Sequence, residues 1–494
     1  MVVSLPWLNF LSGTQFLISQ TAPVLAAATE SENSPIVLAS VLLSLVIVYF
    51  ASKLGGELCA RIDLPPVLGE LVGGVAVGVS ALHLLVFPMS GIDASSSLMM
   101  QMIQMSAHLS PESLTAVFQS QSEVISVLAE IGVVILLFEI GLESDLKELI
   151  RVGPQAAIVA VVGVVAPFAL GTAGLMLLFH VAVVPAIFAG AALTATSIGI
   201  TARVLAEIQQ LASKEGQIIV GAAVLDDVLG IIVLAVVAGL AKTGEVQVGN
   251  VIYLVVSAGV FLVGSIWLGR LLNPFFVALV NELRTRGQVL ITALIFVFLL
   301  SYIAAVIQLE AILGAFAAGL ILAETEKRKE LKDQVVPIAD MLVPIFFVVV
   351  GAKTDISVLN PFVPENREGL ITAAFLVVVA IVGKVVTGFT LVGQPSLNRW
   401  AIGIGMIPRG EVGLVFAAIG ASSGVLPDSL QAAIVVMVIL TTFVAPPLLR
   451  IAFSNQVAQT SLSEEAEILN ESALVDDELM TETTLREDKQ AANE

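Results

Sequence analysis

Thirteen apolar stretches divide the chain, and most are long enough to cross the hydrocarbon core of a bilayer as helices. Hydrophobic residues make up 57% of the chain and charged residues 13%, with a mean hydropathy of +1.00. Because a chain in lipid must satisfy its backbone hydrogen bonds within each helix, this composition predicts an all-α polytopic membrane protein of about 13 transmembrane helices. The stretches occupy residues 35–54, 65–88, 124–142, 156–180, 183–206, 216–240, 248–272, 288–307, 310–323, 335–352, 369–393, 400–423 and 428–452.

Composition predicts three regions. Residues 1–34 are interpreted as a leader or interfacial segment, and an extra span stays open, because their apolar run ends in small residues without the Lys or Arg of a signal peptide. Residues 35–452 are predicted to form the transmembrane domain. Residues 453–494 are predicted to form a disordered acidic tail, since from Ser454 onward eleven acids face two basic residues, almost half of the net charge of −19.

The basic residues predict the orientation. With thirteen spans, fifteen Lys and Arg residues flank one side of the membrane, and only Lys242, Lys353 and Arg367 flank the other. The positive-inside rule assigns the first side to the cytoplasm, which also places the C-terminus there. The expected location is a bacterial-type cell membrane or an internal energy-coupling membrane such as the thylakoid.

Two sequence matches between the halves of the chain predict an internal repeat. The motif Gly141-Leu-Glu-Ser-Asp145 matches Gly351-Ala-Lys-Thr-Asp355 at an offset of 210 residues. The motif Leu64-Pro-Pro-Val-Leu-Gly69, followed by Gly74, matches Leu309-Glu-Ala-Ile-Leu-Gly314, followed by Gly319, at an offset of 245. An extra stretch at about residues 87–121 in the first half accounts for the difference. The matched spans are seven apart, so the two halves cross the membrane in opposite directions, as in many secondary transporters.

Two adjacent carboxylates, Asp226 and Asp227, lie in the middle of the apolar stretch 216–240. At a rise of 1.5 Å per residue they lie roughly 15 Å from the cytoplasmic end of that span. A charge at this depth costs several kcal/mol, so an intramembrane acid indicates a functional site. Lys384, the only lysine inside a span, is predicted at nearly the same depth, where buried opposite charges reduce each other's desolvation cost. A permanent structural ion pair is the alternative interpretation.

Two further spans contain residues that interrupt helices at the same depth. Leu193-Thr-Ala-Thr-Ser197 and Ile407-Pro-Arg-Gly-Glu411 occupy corresponding places in the two halves. Unwound segments expose backbone carbonyls and helix ends that can face an ion, and paired interruptions point to a transport site. Acids nearer the ends of spans are weaker candidates, interpreted as structural or as lining a vestibule: Glu70, Glu130, Glu139 and Glu143.

These motifs in combination resemble the bacterial monovalent cation/proton antiporters of the NapA and Kef type, in the cation:proton antiporter 2 superfamily, over about residues 35–450. The resemblance implies two crossed broken helices in a core domain that moves against a dimerisation domain. It implies that Asp227 is the principal ion and proton carboxylate, with Asp226 paired to Lys384. Thr196 and Ser197 would belong to the first crossing. Arg409 and Glu411 would balance charge in the second.

The resulting hypothesis is a transporter, not an enzyme, that exchanges Na+, or else Li+ or K+, for protons by alternating access at the Asp226–Asp227 site. If Lys384 also loses its proton when a cation binds, exchange is electrogenic. A homodimer in a lipid bilayer is expected, with no nucleic acid partner. One cysteine and three scattered histidines indicate no resident metal, and no cofactor is expected.

A K+/H+ antiporter or potassium-efflux system is the runner-up. The resemblance to sodium/proton members depends on the paired aspartates, and potassium transport stays open. An intramembrane aspartyl protease is disfavoured, because adjacent residues of one helix point about 100° apart. A passive channel is disfavoured because the sequence contains no repeated carbonyl filter.

Overall fold

The computed structural model describes residues 34–88, 92–243, 248–356, 364–394, 397–427 and 429–454. The segment predicted over residues 1–34 therefore lies outside the described residues except for Ser34. The acidic tail lies outside them from residue 455 onward.

The described residues form helices joined by short turns. The helices α1 to α17 are Ser34–Arg61, Pro66–Val77, Leu98–Ala107, Pro111–Glu143, Leu146–Arg151, Gly153–Leu178, Val183–Ala192, Ile198–Glu207, Lys214–Thr243, Val248–Glu282, Gln288–Val306, Ala311–Ala323, Arg328–Ala352, Pro364–Phe389, Arg399–Gly405, Glu411–Ser422 and Ser429–Ser454. Nine helices in the described part of the chain are long and apolar enough to span a membrane. Together with the shorter apolar helices they confirm a helical polytopic membrane protein, while the count of thirteen spans stays a prediction.

Several helix boundaries differ from the predicted ones. α2 ends at Val77, and turns follow it up to residue 88, whereas the sequence predicted one apolar span over 65–88. α4 begins at Pro111 instead of near residue 124, because Pro at its first position and the Ser110 side chain cap its N-terminus well before the apolar run. Most of the predicted insertion at 87–121 is therefore the helix α3 and the first turns of α4.

The helices pack as two bundles. In the first, here called the scaffold bundle, α1, α2, α4, α11, α12 and α13 pack against one another. In the second, the core bundle, α6, α7, α8, α9, α14, α15 and α16 pack together, and α17 joins α14 and α16 in one buried apolar cluster. The short helix α8 contacts α2 and α4 and so links the bundles.

Glycine contacts in the scaffold bundle follow the predicted repeat. A Cβ on Gly74 of α2 would lie 2.9 Å from the Cα of Gly351 in α13. A Cβ on Gly319 of α12 would lie 2.8 Å from the Cα of Gly141 in α4. Each contact joins one matched motif of the first half to the other matched motif of the second half. This exchange of partners is what two structurally equivalent, inverted halves produce.

The close contact at Gly319 carries a stability prediction. Gly319→Ala places its methyl group against the backbone of α4, which cannot yield as a flexible side chain would. We expect the free energy of unfolding to fall by about 1–3 kcal/mol, as for other overpacked sites. The thermal unfolding midpoint of purified protein in detergent measures the change. Gly259→Ala in α10 is the matched control, because no described atom beyond its own turn of helix lies within 4 Å of its Cβ position and alanine favours a helix. Equal midpoints for the two variants would contradict the prediction.

Candidate functional site

Two interrupted helices cross in the core bundle. The first is α7 followed by α8, with Leu193 to Ser197 outside either helix; the second is α15 followed by α16, with Met406 to Gly410 outside. The local sequence explains the interruptions. Pro408 has no N–H for a helical hydrogen bond, and Thr and Ser side chains offer the backbone competing hydrogen bonds.

Direct hydrogen bonds join the two interruptions. The backbone N–H of Ser197 donates to the carbonyl oxygen of Pro408 at 2.8 Å. The Thr196 hydroxyl donates to the carbonyl oxygen of Met406 at 3.2 Å. Gly410 approaches the Ser197 side chain so closely that a Cβ there would lie 2.8 Å from Oγ. The structure therefore brings Thr196 and Ser197 against the second interruption, as the two-crossing interpretation requires.

Arg409 turns its side chain into the crossing. It is fully buried, and Nη1 donates to the carbonyl oxygen of Ala195 at 2.7 Å and to that of Thr194 at 3.4 Å. The Thr442 hydroxyl donates to the carbonyl oxygen of Arg409 itself. The carbonyls that Arg409 contacts follow the C-terminal end of α7, where the helix dipole is negative. The buried positive charge of Arg409 is thus placed against the partial negative charge at the C-terminal end of α7. Glu411 begins α16, but its side chain lies outside the described part of the chain.

Lys384 of α14 and Asp226 of α9 form a buried ion pair. Lys384 Nζ donates to Asp226 Oδ2 at 2.8 Å, and both side chains are fully inaccessible to solvent. α14 packs along α6 at Gly163, where a Cβ would lie 3.1 Å from Nζ, so the missing side chain leaves room for the ammonium group. The predicted proximity of the lysine to the paired acids is therefore present in the structure.

Asp227 lies beside this pair, with 3% of its surface exposed. It interacts electrostatically with Lys384, and Arg409 interacts with both Lys384 and Asp226. Four buried ionisable groups from α9, α14 and the second crossing thus share one electrostatic environment. Asp226 Oδ1 accepts no hydrogen bond from any residue that the structure describes. This oxygen is therefore available to a water molecule or a cation.

A cavity between the two bundles leads toward the helix crossing in the core bundle. A chamber of about 240 Å³ is lined by Glu130 and Phe346 of the scaffold bundle and by Gly410, Leu414 and Thr442 of the core bundle. It adjoins a wider funnel of about 730 Å³ that is lined by residues at the predicted outer ends of the helices. The second crossing is thus approached from that face.

The weaker candidate acids fall into two places. Glu130 lines the chamber just described. At the predicted cytoplasmic side, Glu143 forms an ion pair of 2.7 Å with Lys332. Glu70 and Glu139 lie around Arg203, which interacts electrostatically with both.

Sequence reasoning missed Arg203 as a site residue. It forms an ion pair of 3.1 Å with Glu207 and lies in α8, the helix that links the bundles. A signal was available, since Arg203 is the one basic residue of the apolar stretch 183–206. In the sequence, Arg203 served only to assign the membrane orientation.

Known proteins resemble the chain over most of its length. The sequence profile of the family described as "Sodium/hydrogen exchanger, transmembrane" matches residues 34–454. The chain is 70% identical over 435 residues to the high-affinity Na(+)/H(+) antiporter NhaS3 of Synechocystis sp. (strain ATCC 27184 / PCC 6803 / Kazusa), covering 88% of this chain and 94% of that protein. It is 31% identical over 416 residues to the Na(+)/H(+)-K(+) antiporter GerN of Bacillus cereus, covering 83% and 95%.

A solved structure resembles the fold. The sodium proton antiporter MjNhaP1 from Methanocaldococcus jannaschii matches with a TM-score of 0.57, covering 86% of this chain and 99% of that one. At 16% sequence identity this likeness concerns the fold alone. It confirms the helical antiporter architecture that the sequence predicted.

Proposed function

The chain belongs to the sodium/hydrogen exchanger family, and from that premise we propose that it exchanges Na+ for protons across a membrane at the Asp226–Asp227 site. The observation that carries the site assignment is the fully buried ion pair between Lys384 and Asp226, next to Asp227 and the two crossed interruptions. Charges held at this depth are expensive, which is why they mark ion and proton pathways in membrane proteins.

Competition at the carboxylates drives the exchange in this proposal. Carboxylate oxygens are suitable ligands for a hard cation, and the same oxygens bind protons. When Asp227 binds a proton it loses its negative charge and with it the attraction for Na+. When the proton leaves on the other side of the membrane, Na+ replaces it.

In this proposal the exchange is electrogenic, because Lys384 releases its proton when Na+ binds and regains one when Na+ leaves. Together with the proton that Asp227 carries, two protons then exchange for each Na+. One net charge therefore crosses the membrane in each cycle.

Alternating access follows from movement of the core bundle against the scaffold bundle. The chamber and funnel lie between the bundles and open at the predicted outer face. At the predicted cytoplasmic side, α8 of the core bundle contacts α2 and α4 of the scaffold bundle. We propose that these contacts separate, and the outer cavity closes, when the site turns to the cytoplasm. A homodimer with cytoplasmic C-termini is part of the same proposal.

The runner-up is K+/H+ exchange, which the GerN relative favours, since that protein is called a Na(+)/H(+)-K(+) antiporter. An intramembrane protease is disfavoured by the site geometry. Asp226 is engaged by Lys384 and stands next to Asp227 on one helix, so the two carboxyl groups do not face each other across a shared water.

Purified protein in liposomes that contain a pH-sensitive dye tests the proposal. We expect addition of Na+ to drive proton movement across the membrane, and a membrane potential of one sign to accelerate it because net charge moves. Li+, K+ and choline chloride are compared at several pH values. Flux with K+ but not Na+ would favour the runner-up. Flux that does not change with the membrane potential would exclude the exchange of two protons per Na+. The absence of cation-dependent flux would refute exchange altogether.

A further inference from the structure

Lys353 lies where the outer funnel meets the inner chamber. It follows the last residue of α13, and its side chain lines both cavities, together with Ser126, Leu414 and Val435. The chamber beyond it extends to Gly410 and Thr442 at the second crossing. A cation that travels from the funnel to the crossing therefore passes the Lys353 ammonium group.

Three interactions involve the Lys353 ammonium group at the place where the funnel meets the chamber, here called the neck. Lys353 Nζ donates to the hydroxyl of Ser126 in α4 at 3.3 Å. It lies 4.8 Å from the centre of the Phe87 ring, a cation–π distance. Glu130, one turn beyond Ser126, interacts with it electrostatically. The Lys353 ammonium group thus lies beside the passage from the funnel to the chamber.

The internal repeat gives Lys353 an equivalent position in the first half of the chain. In the matched motifs, Lys353 occupies the position of Glu143, which lies at the end of α4 at the predicted cytoplasmic face. Glu143 forms an ion pair with Lys332. Equivalent positions at the two ends of the inverted repeat therefore carry opposite charges. Among the described residues that line the chamber and the funnel, Lys353 is the one basic residue, beside the acids Glu123, Glu130 and Asp355.

We propose that the positive charge of Lys353 weakens the binding of Na+ that enters from the outer face. Na+ that enters from the cytoplasmic face does not pass this charge. This inference rests on the proposed Na+/H+ exchange. Like charges repel, and the repulsion is stronger in a narrow, partly desolvated neck than in bulk water. Na+ released toward the funnel is less prone to return, so the asymmetry favours export.

The test measures the apparent KM for Na+ separately from each face, in right-side-out and inside-out vesicles. We expect Lys353→Met to lower the KM at the outer face by about 3- to 10-fold, as expected for removal of one nearby charge at intermediate dielectric. The KM at the cytoplasmic face should stay as in the wild type. Lys353→Arg retains the charge and should resemble the wild type. Added choline chloride should shrink the difference by screening, which a purely structural effect would not show.

Two further variants keep the test decisive. Lys327→Met removes one positive charge from an exposed cytoplasmic ion pair and should leave the outer KM unchanged. Lys353→Gln also removes the charge but keeps a polar side chain near the Ser126 hydroxyl, and it should lower the outer KM as Lys353→Met does, so the proposal stays testable if Lys353→Met does not fold.

Three outcomes would overturn the role of Lys353: an unchanged outer KM in Lys353→Met, an equal change at both faces, or Lys353→Arg behaving like Lys353→Met. Each presupposes that the wild type exchanges Na+ for protons. If the wild type shows no such flux, it is the proposed function that fails, so the two failures are distinguishable.

Discussion

Replacement of Asp227 by asparagine is expected to reduce Na+-dependent proton flux at least about 100-fold, to the level of protein-free liposomes. Asparagine is nearly the same size but can neither carry the negative charge nor release a proton. A charge-assisted contact contributes roughly 3 kcal/mol, and each 1.4 kcal/mol is a factor of ten in affinity. Flux in proteoliposomes under a Na+ gradient measures the loss.

A binding measurement separates loss of the ion site from loss of folding. In the wild type, Na+ should raise the thermal unfolding midpoint, because a ligand that binds only the folded state stabilises it. In Asp227→Asn this Na+ effect should vanish while the midpoint without Na+ stays close to that of the wild type. Asp333→Asn, an exposed acid on α13, is the matched control and should retain both flux and the Na+ effect. Wild-type exchange by Asp227→Asn would defeat the carboxylate assignment.

Replacement of Lys384 by methionine is expected to lower the free energy of unfolding by about 3–5 kcal/mol. The change leaves Asp226 as an uncompensated charge in a site without solvent access, and breaking a buried ion pair from one side has this cost. The thermal or denaturant unfolding of the purified protein measures it. The double variant Lys384→Met with Asp226→Asn should recover most of the loss, since removal of both charges can be nearly neutral.

Lys332→Met provides the matched control for this prediction. It breaks an ion pair of similar length, 2.7 Å to Glu143, whose side chains are 45% and 24% exposed. Exposed pairs contribute at most about 1 kcal/mol, so this variant should unfold close to the wild type. If Lys384→Met were as stable as Lys332→Met, or if the double variant were no more stable than Lys384→Met, the buried pair would not carry the stability assigned to it.

There is a physical reason why some of the residues discussed above could be identified from the sequence and others could not. Asp226, Asp227, Lys384 and the two interrupted spans were identifiable because charges and unsatisfied backbone groups inside a membrane are costly enough to be rare. Lys353 and Arg203 were not identified as candidate site residues, because a charge near the end of a span is energetically ordinary. Their positions in a cavity and at the junction of two bundles depend on neighbours that are remote in the chain.

Helix boundaries show the same division. The sequence located the nine long apolar helices of the described part of the chain, yet it placed the start of α4 about thirteen residues late and ran the second span past the end of α2. Hydropathy reports which residues lipid or protein can bury, whereas capping residues decide where a helix begins and ends. The part of a helix that extends beyond its apolar run is therefore not detected by a search for apolar runs.

By itself, then, the sequence determined the helical membrane class, the repeat and the residue types of the candidate site, since charges and interrupted helices in lipid are costly enough to stand out. The depth of Lys384 also predicted its place near the paired acids. Only the tertiary structure placed Arg409 against the carbonyls after α7 and Lys353 at the neck of the outer cavity. Contacts of this kind arise from the packing of helices far apart in the chain, and the spacing of residues along the sequence does not specify them.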